Sequence, residues 1–235
     1  MTPTLAAIPY RTHARGIAPL ADIYQPAQPT GSSVLLVHGG GFVIGSRRMK
    51  PMRFLAARLA ASGIAVCAID YRLIFRGGRL DEAVDDVRAA LGFWRDRVAD
   101  PHAVSMIGLS AGASLALLAA DASLARLACC FGLYAVDHLR GIASALPRLL
   151  FRTPDRARWR FDAQPSVPTL LLHGDADRLV PVAQAHRFAA ERAARDLPTK
   201  LVVYPGAPHG FFTKPGIAAD AAAHELARWV DVARR

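Results

Sequence analysis

At 235 residues, with 52% hydrophobic and 20% charged residues, the chain has the size and composition of one globular α/β-type domain and excludes a disordered protein. No apolar run approaches the ~18 residues that cross a bilayer, and Met1 to Gly16 lacks a basic start followed by an apolar core, so no stable membrane insertion and a cytoplasmic location are expected. The formal charge of +10 raises nucleic acid as a partner, but the arginines are dispersed and only Lys50, Lys200 and Lys214 accompany them, so no nucleic-acid surface is expected.

Residues 1 to 30 carry five prolines around the alternating segment Ile17–Tyr24, which reads as an edge strand because proline removes a ladder donor. Ser33–Val37 is wholly apolar after its first residue, as expected inside a parallel sheet. It runs into His38-Gly39-Gly40-Gly41-Phe42. Pro51–Ser62 has helical spacing, opens with proline and stops before Gly63. Ile64–Ile69 is the next strand, followed by Asp70-Tyr71-Arg72.

Leu80–Trp94 is the clearest amphipathic helix, with Leu80, Val84, Val87, Leu91 and Trp94 on one stripe. Asp81, Glu82, Asp85 and Asp86 read as its solvated face, since no histidine accompanies them as a metal ligand. A strand from Ala103, the pentapeptide Gly108-Leu109-Ser110-Ala111-Gly112, a helix over Ser114–Ala120 and a strand over Leu127–Tyr134 follow. Val136–Gln164 breaks the rhythm and reads as a short cap-like insertion in a single domain spanning 1–235. Strand Thr169–Leu172, helix Pro181–Arg195, strand Lys200–Tyr204 and helix Ile217–Val230 complete the alternation. It implies a mostly parallel sheet with helices on both faces. Cys67, Cys129 and Cys130 sit in apolar runs without metal-ligand spacing and read as buried free thiols.

In such a sheet the loops leaving the strand C-termini converge on one edge. Four chemically interesting loops leave strands this way: the glycine run at 38–41, the turn at Ser110, Asp175-Ala176-Asp177, and His209. A serine hydroxyl needs a base to become a nucleophile, histidine suits that task, and a carboxylate must hold the imidazole. Ser110, His209 and Asp177 are the candidates, with Asp175 competing for the acid role and His173 bracing that loop. The amide of Ala111, at a helix N-terminus, and amides of the glycine run suit a developing oxyanion. A phosphate loop is excluded: Gly40 and Gly45 have the Walker spacing, but Ser46-Arg47 stands where Lys-Ser/Thr is required.

Over residues 17 to 233 the chain resembles the α/β-hydrolase superfamily. His38-Gly39-Gly40-Gly41-Phe42 with Gly108-x-Ser110-Ala111-Gly112 resembles the HGGG esterases, the hormone-sensitive-lipase-like and related carboxylesterases. The order Ser110, Asp177, His209 is also the order of that superfamily. The resemblance implies Ser110 as nucleophile, Asp177 and His209 as relay, and Gly40, Gly41 and Ala111 as oxyanion donors. The stretch Asp70-Tyr71-Arg72 matches one that is structural there. Leu109 departs from the Asp common in the lipase-like enzymes. The acid loop His173-Gly174-x-x-Asp177-x-x-Val180-Pro181 is more like dienelactone hydrolases and the prolyl-oligopeptidase-like group. Arylformamidases carry a similar glycine run and serine turn. The expectation is a serine carboxylesterase for small, short-acyl esters that needs no cofactor and no metal, with an amide-cleaving enzyme as the alternative and a non-catalytic hydrolase-like binding protein as a remote one.

Overall fold

A strand such as Ser33–Val37, with every residue buried, must be flanked by other strands and covered on both faces. The computed structural model describes residues 2–12, 19–74, 79–136, 145, 150, 152, 160, 161 and 163–232. Among them, eight strands form one sheet: Leu5–Pro9 (β1), Leu20–Tyr24 (β2), Ser33–Val37 (β3), Ala65–Ile69 (β4), Val104–Leu109 (β5), Leu127–Cys130 (β6), Thr169–Gly174 (β7) and Thr199–Tyr204 (β8). Their order is β1-β2-β4-β3-β5-β6-β7-β8. All pairings are parallel except β1 with β2 and β2 with β4.

The period of two along each strand sends alternate residues into two separate cores. Val34, Leu36, Val66, Ala68 and Ile107 pack beneath Lys50–Ala61 (α1) and Ile217–Val230. Leu35, Val37, Cys67, Ile69 and Met106 pack beneath Leu80–Arg95 (α2), Ala111–Ala119 (α3) and Ala183–Ala193 (α4). Ile217–Val230 is then α5. β3 pairs with β4 on one side and β5 on the other, so the strand order turns there. The crevice at their C-terminal ends is where such sheets bind ligands.

Three expectations need correction. The proline-rich N-terminal strand is not the sheet edge: β2 is sandwiched between β1 and β4, and the exposed β1, closed by Pro9, takes the edge. The strand read as Leu127–Tyr134 ends at Cys130, because Phe131 adopts a φ of 40° and turns the chain out of the ladder. The carboxylates of α2 do not share one solvated face. Asp81 and Asp85 are exposed, whereas Asp86 is fully buried and its oxygens accept from Arg72 Nε (2.9 Å), Arg72 Nη2 (3.0 Å) and Arg11 Nη1 (2.8 Å).

The three cysteines are buried free thiols, and burial raises the pKa of each. Most of the insertion expected at 136–164, like Ile17 and Ala18 of the N-terminal segment, lies outside the described residues.

Candidate active site

The strand β5 ends at Leu109 and α3 begins at Ala111, so Ser110 alone makes the reversal. It does so at φ 51° and ψ −121°, a conformation that costs a non-glycine residue about 1–3 kcal/mol. Its amide donates to the Cys130 carbonyl (2.9 Å), and its carbonyl accepts from the Ala113 amide (2.9 Å). The flanking glycines are required by close approach: a Cβ on Gly108 would lie 2.4 Å from the Gly112 carbonyl oxygen, and one on Gly112 2.4 Å from that of His38.

The loops after β7 and β8 bring two partners to Ser110. His209 Nε2 is 3.0 Å from Ser110 Oγ, and His209 Nδ1 is 2.7 Å from Asp177 Oδ2. A carboxylate only accepts, so Nδ1 carries the proton and Nε2 offers its lone pair to the hydroxyl. The Phe131 ring packs its edge against the imidazole, with centroids 5.1 Å apart. Asp177 Oδ1 accepts the amides of Leu179 (2.9 Å) and Val180 (2.8 Å), while its Oδ2 lies 3.2 Å from His173 Nε2. Burial pushes the Asp177 carboxyl up, but hydrogen bonds from His173, His209 and the Val180 amide outweigh it and hold the group well below the usual carboxylate range. It is ionised at neutral pH.

His173 therefore braces the acid loop, as its position suggested, and also reaches the Val180 carbonyl at 2.9 Å. Asp175 neither meets His209 nor caps the following helix: it accepts the Gly206 amide at 2.6 Å and ties the acid loop to the histidine loop. Phe131 is a contribution that carried no signal in the sequence beyond its position after a strand.

The glycine run is built for close backbone approach. Gly40 and Gly41 have φ values of 111° and 61°, and the Gly40 carbonyl accepts the amides of Val43 and Ile44 at 3.1 Å each. A Cβ on Gly40 would sit 2.0 Å from the Ile44 carbonyl oxygen, so no other residue fits that turn. His38 anchors the loop from beneath. Its Nδ1 is 2.6 Å from the Gly39 carbonyl oxygen, its ring stacks on Tyr71 at 4.2 Å, and its carbonyl accepts the Tyr71 hydroxyl at 3.0 Å. Burial lowers its pKa to about 4, so the imidazole is neutral. At the loop's far end the buried Arg47 pairs with Asp22 and Asp70. Arg47, at the position where a phosphate loop carries Ser or Thr, is thus held in a structural ion pair, and the side chains of Asp70, Tyr71 and Arg72 are all engaged in packing or pairing.

The amide of Ala111 opens α3, where no intrahelical acceptor exists for it. Gly40, Gly41, Ser110 and His209 line a common cavity of about 350 Å³. Its other walls include Ile44, Met49, Met52, Leu109, Phe131 and Leu179, none of them charged. Among the described residues no three His, Cys, Asp or Glu side chains converge as a metal site. No described helix is long and apolar enough to cross a membrane.

Two family models match different parts of the chain. The BD-FAE model covers residues 21–127, with the glycine run and Ser110, and the prolyl oligopeptidase family model covers 154–233, with the acid and histidine loops. The chain is 28% identical to esterase LipC of Mycobacterium tuberculosis over 93% of its own length and 63% of that protein. It is also 28% identical to a probable isoprenylcysteine alpha-carbonyl methylesterase of Oryza sativa subsp. japonica, over 80% of this chain and 53% of that one. It thus spans between half and two thirds of these relatives.

Among solved structures it is similar to Thermogutta terrifontis esterase 2 phosphonylated by sarin, with a TM-score of 0.77 and 22% identity over 97% of this chain and 94% of the other. It is likewise similar to a Pyrobaculum calidifontis esterase, with a TM-score of 0.76 and 21% identity over 92% and 82%. The fold is the α/β-hydrolase fold.

Proposed function

We propose that this α/β-hydrolase-fold protein is a serine carboxylesterase acting on small, short-acyl esters through an acyl-enzyme. The observation that carries the reading is the hydrogen-bonded chain Ser110 Oγ, His209 Nε2, His209 Nδ1, Asp177 Oδ2 at the C-terminal edge of the sheet. Ser110 Oγ attacks the ester carbonyl while its proton passes to His209 Nε2. The oxyanion that forms is stabilised by the amides of Ala111, Gly40 and Gly41, with the positive end of α3 behind the first. The tetrahedral species collapses, the leaving alkoxide takes the proton from Nε2, and the acyl group stays on Oγ. Water then gives its proton to His209, attacks the acyl carbon, and the acid leaves as Ser110 recovers its proton. Asp177 stays ionised throughout and stabilises the imidazolium.

The names of similar proteins support this chemistry: esterases recur among them, and one structure of Thermogutta terrifontis esterase 2 carries propionate and another butyrate. Ser110→Ala should lower kcat on p-nitrophenyl acetate by roughly 10⁶-fold; wild-type turnover by the purified variant would remove Ser110 as the nucleophile. A second reading, cleavage of an amide by the same residues, is favoured by the prolyl oligopeptidase family match over the acid and histidine loops. Comparing an ester with N-formylkynurenine and a peptidyl anilide decides between them by kcat/KM.

A further inference from the structure

Three consecutive residues of the glycine run have positive φ: Gly40 at 111°, Gly41 at 61° and Phe42 at 68°. Glycine adopts such angles freely, whereas phenylalanine does so only where its surroundings hold it. Two contacts hold Phe42. Its carbonyl accepts the Ile74 amide at 2.9 Å, which ties the backbone to the segment after β4. Its fully buried ring packs against that of Phe161, with centroids 5.5 Å apart and an interplanar angle of 36°. Both rings belong to the core on the α2, α3 and α4 face of the sheet.

Phe161 comes from the end of the segment expected as an insertion, and it is firmly placed. It is 2% exposed, its amide donates to the Tyr134 carbonyl at 2.9 Å, and the neighbouring Arg160 forms an antiparallel bridge with Ala135. Tyr134 and Ala135 are held in turn by Gln184 of α4, whose Oε1 accepts their amides at 3.1 and 3.0 Å. A chain of contacts thus runs from α4 through residues 134–135 and Phe161 to Phe42, which is bonded to Gly41. We propose that Phe161 is a positioning residue for the oxyanion donors: by backing the Phe42 ring it keeps residues 40–42 in the turn that presents the Gly40 and Gly41 amides. The proposal rests on the serine-hydrolase reading of the site. Without the Phe161 ring, Phe42 gains room to leave its positive φ and the donors shift. A full negative charge feels that shift more than the neutral carbonyl of a bound ester does, so the loss falls on kcat rather than KM.

The test compares Phe161→Ala, Phe161→Leu and Leu91→Ala with the wild type. Leu91, on α2 and 2% exposed in the same core, reports the effect of general loosening. Each protein is measured for kcat and KM on p-nitrophenyl butyrate and for inhibition by a trifluoromethyl ketone. The ketone carbon bonds to Ser110 Oγ, the Oγ proton passes to His209, and the ketone oxygen becomes an oxyanion. Phe161→Ala should lower kcat by about tenfold or more, short of the roughly 10²–10³-fold of deleting a donor outright, with KM within about twofold of wild type. Its Ki for the ketone should rise by the same factor. Phe161→Leu should show a smaller loss in both, and Leu91→Ala should show neither. If Phe161→Ala does not fold, Phe161→Leu decides by the same readouts. The proposal is overturned if the Phe161 variants keep wild-type kcat and ketone affinity, if they raise KM alone, or if Leu91→Ala loses as much. Absence of both turnover and ketone binding in the wild type would overturn the serine-hydrolase reading itself, a different failure.

Discussion

Ser110 is strained and half-exposed, and its neighbours hold it so. The backbone bonds to Cys130 and Ala113 over-determine the turn, and the two glycines remove the side chains that would collide with it. The relay shows how fine the residue scale is. Asp175 and Asp177 share one short loop, yet only Asp177 meets the imidazole, at 2.7 Å, while Asp175 is spent on the Gly206 amide. Asp177→Asn should lower kcat by roughly 10⁴-fold, because an amide no longer stabilises the imidazolium or enforces its tautomer. Asp175→Asn keeps an acceptor oxygen for Gly206 and should leave kcat in the wild-type order of magnitude. Steady-state kinetics of the two purified variants on one ester checks this, and equal losses would mean that the assignment of the acid is wrong. The choice of Ser110 and His209 was legible because both follow strand-like runs in the order Ser, Asp, His. The support from Phe131 was not, since its ring reaches His209 from a different loop.

At the scale of elements, α2 carries the sharpest lesson. Its apolar stripe was readable from spacing, and the helix lies where the period placed it, over Leu80–Arg95. Asp86 was read with its acidic neighbours as solvated, although it sits three residues after Ala83 and four before Ala90, both buried. Its partners are 14 and 75 residues away in Arg72 and Arg11, so no local pattern announces them. Removing Asp86 takes the Nε partner and one Nη2 partner from the buried Arg72 guanidinium and leaves it with Glu82 alone. Asp86→Ala should therefore destabilise the fold by roughly 3–5 kcal/mol, whereas the exposed Asp81→Ala should stay within about 0.5 kcal/mol of wild type. Urea denaturation of the two variants measures both; a small effect at Asp86 would mean that Arg72 is solvated. β1 escaped the sequence reading for a related reason. It is five residues long, mostly exposed and closed by Pro9, and its short apolar run Leu5–Ile8 is centred on two alanines, which have little strand propensity, so nothing local marks it as a strand.

For the molecule as a whole, the strand order reverses at the parallel pair β3 and β5, and both the glycine run and Ser110 leave the sheet there. The same placement buries His38 between the loop and Tyr71 and makes stability depend on pH. Its pKa falls from 6.5 to about 4 on folding because burial penalises the charged ring. Between those values the unfolded chain binds the proton and the native protein does not. Its contribution is therefore complete above pH 6.5 and is lost as pH falls towards 4, with a limiting slope of about 1.4 kcal/mol per pH unit. Asp177, held below its ordinary 3.8, adds a further loss only below that value. Unfolding free energies from denaturant titrations between pH 7 and 4 should show the first slope, and His38→Gln should flatten it. An unchanged slope in that variant would mean that other groups carry the dependence.

The sequence by itself determined the alternation of strands and helices, the four loops that carry the chemistry and the order of the three relay residues. Those follow from periodicity and turn chemistry, which act over a few neighbouring residues. Only the tertiary structure decided which aspartate reaches His209, that Asp86 is buried, and that β1 and not β2 is the edge. Each of these depends on side chains from distant segments meeting at hydrogen-bond or packing distance, and that proximity is a property of the assembled sheet and the helices covering it.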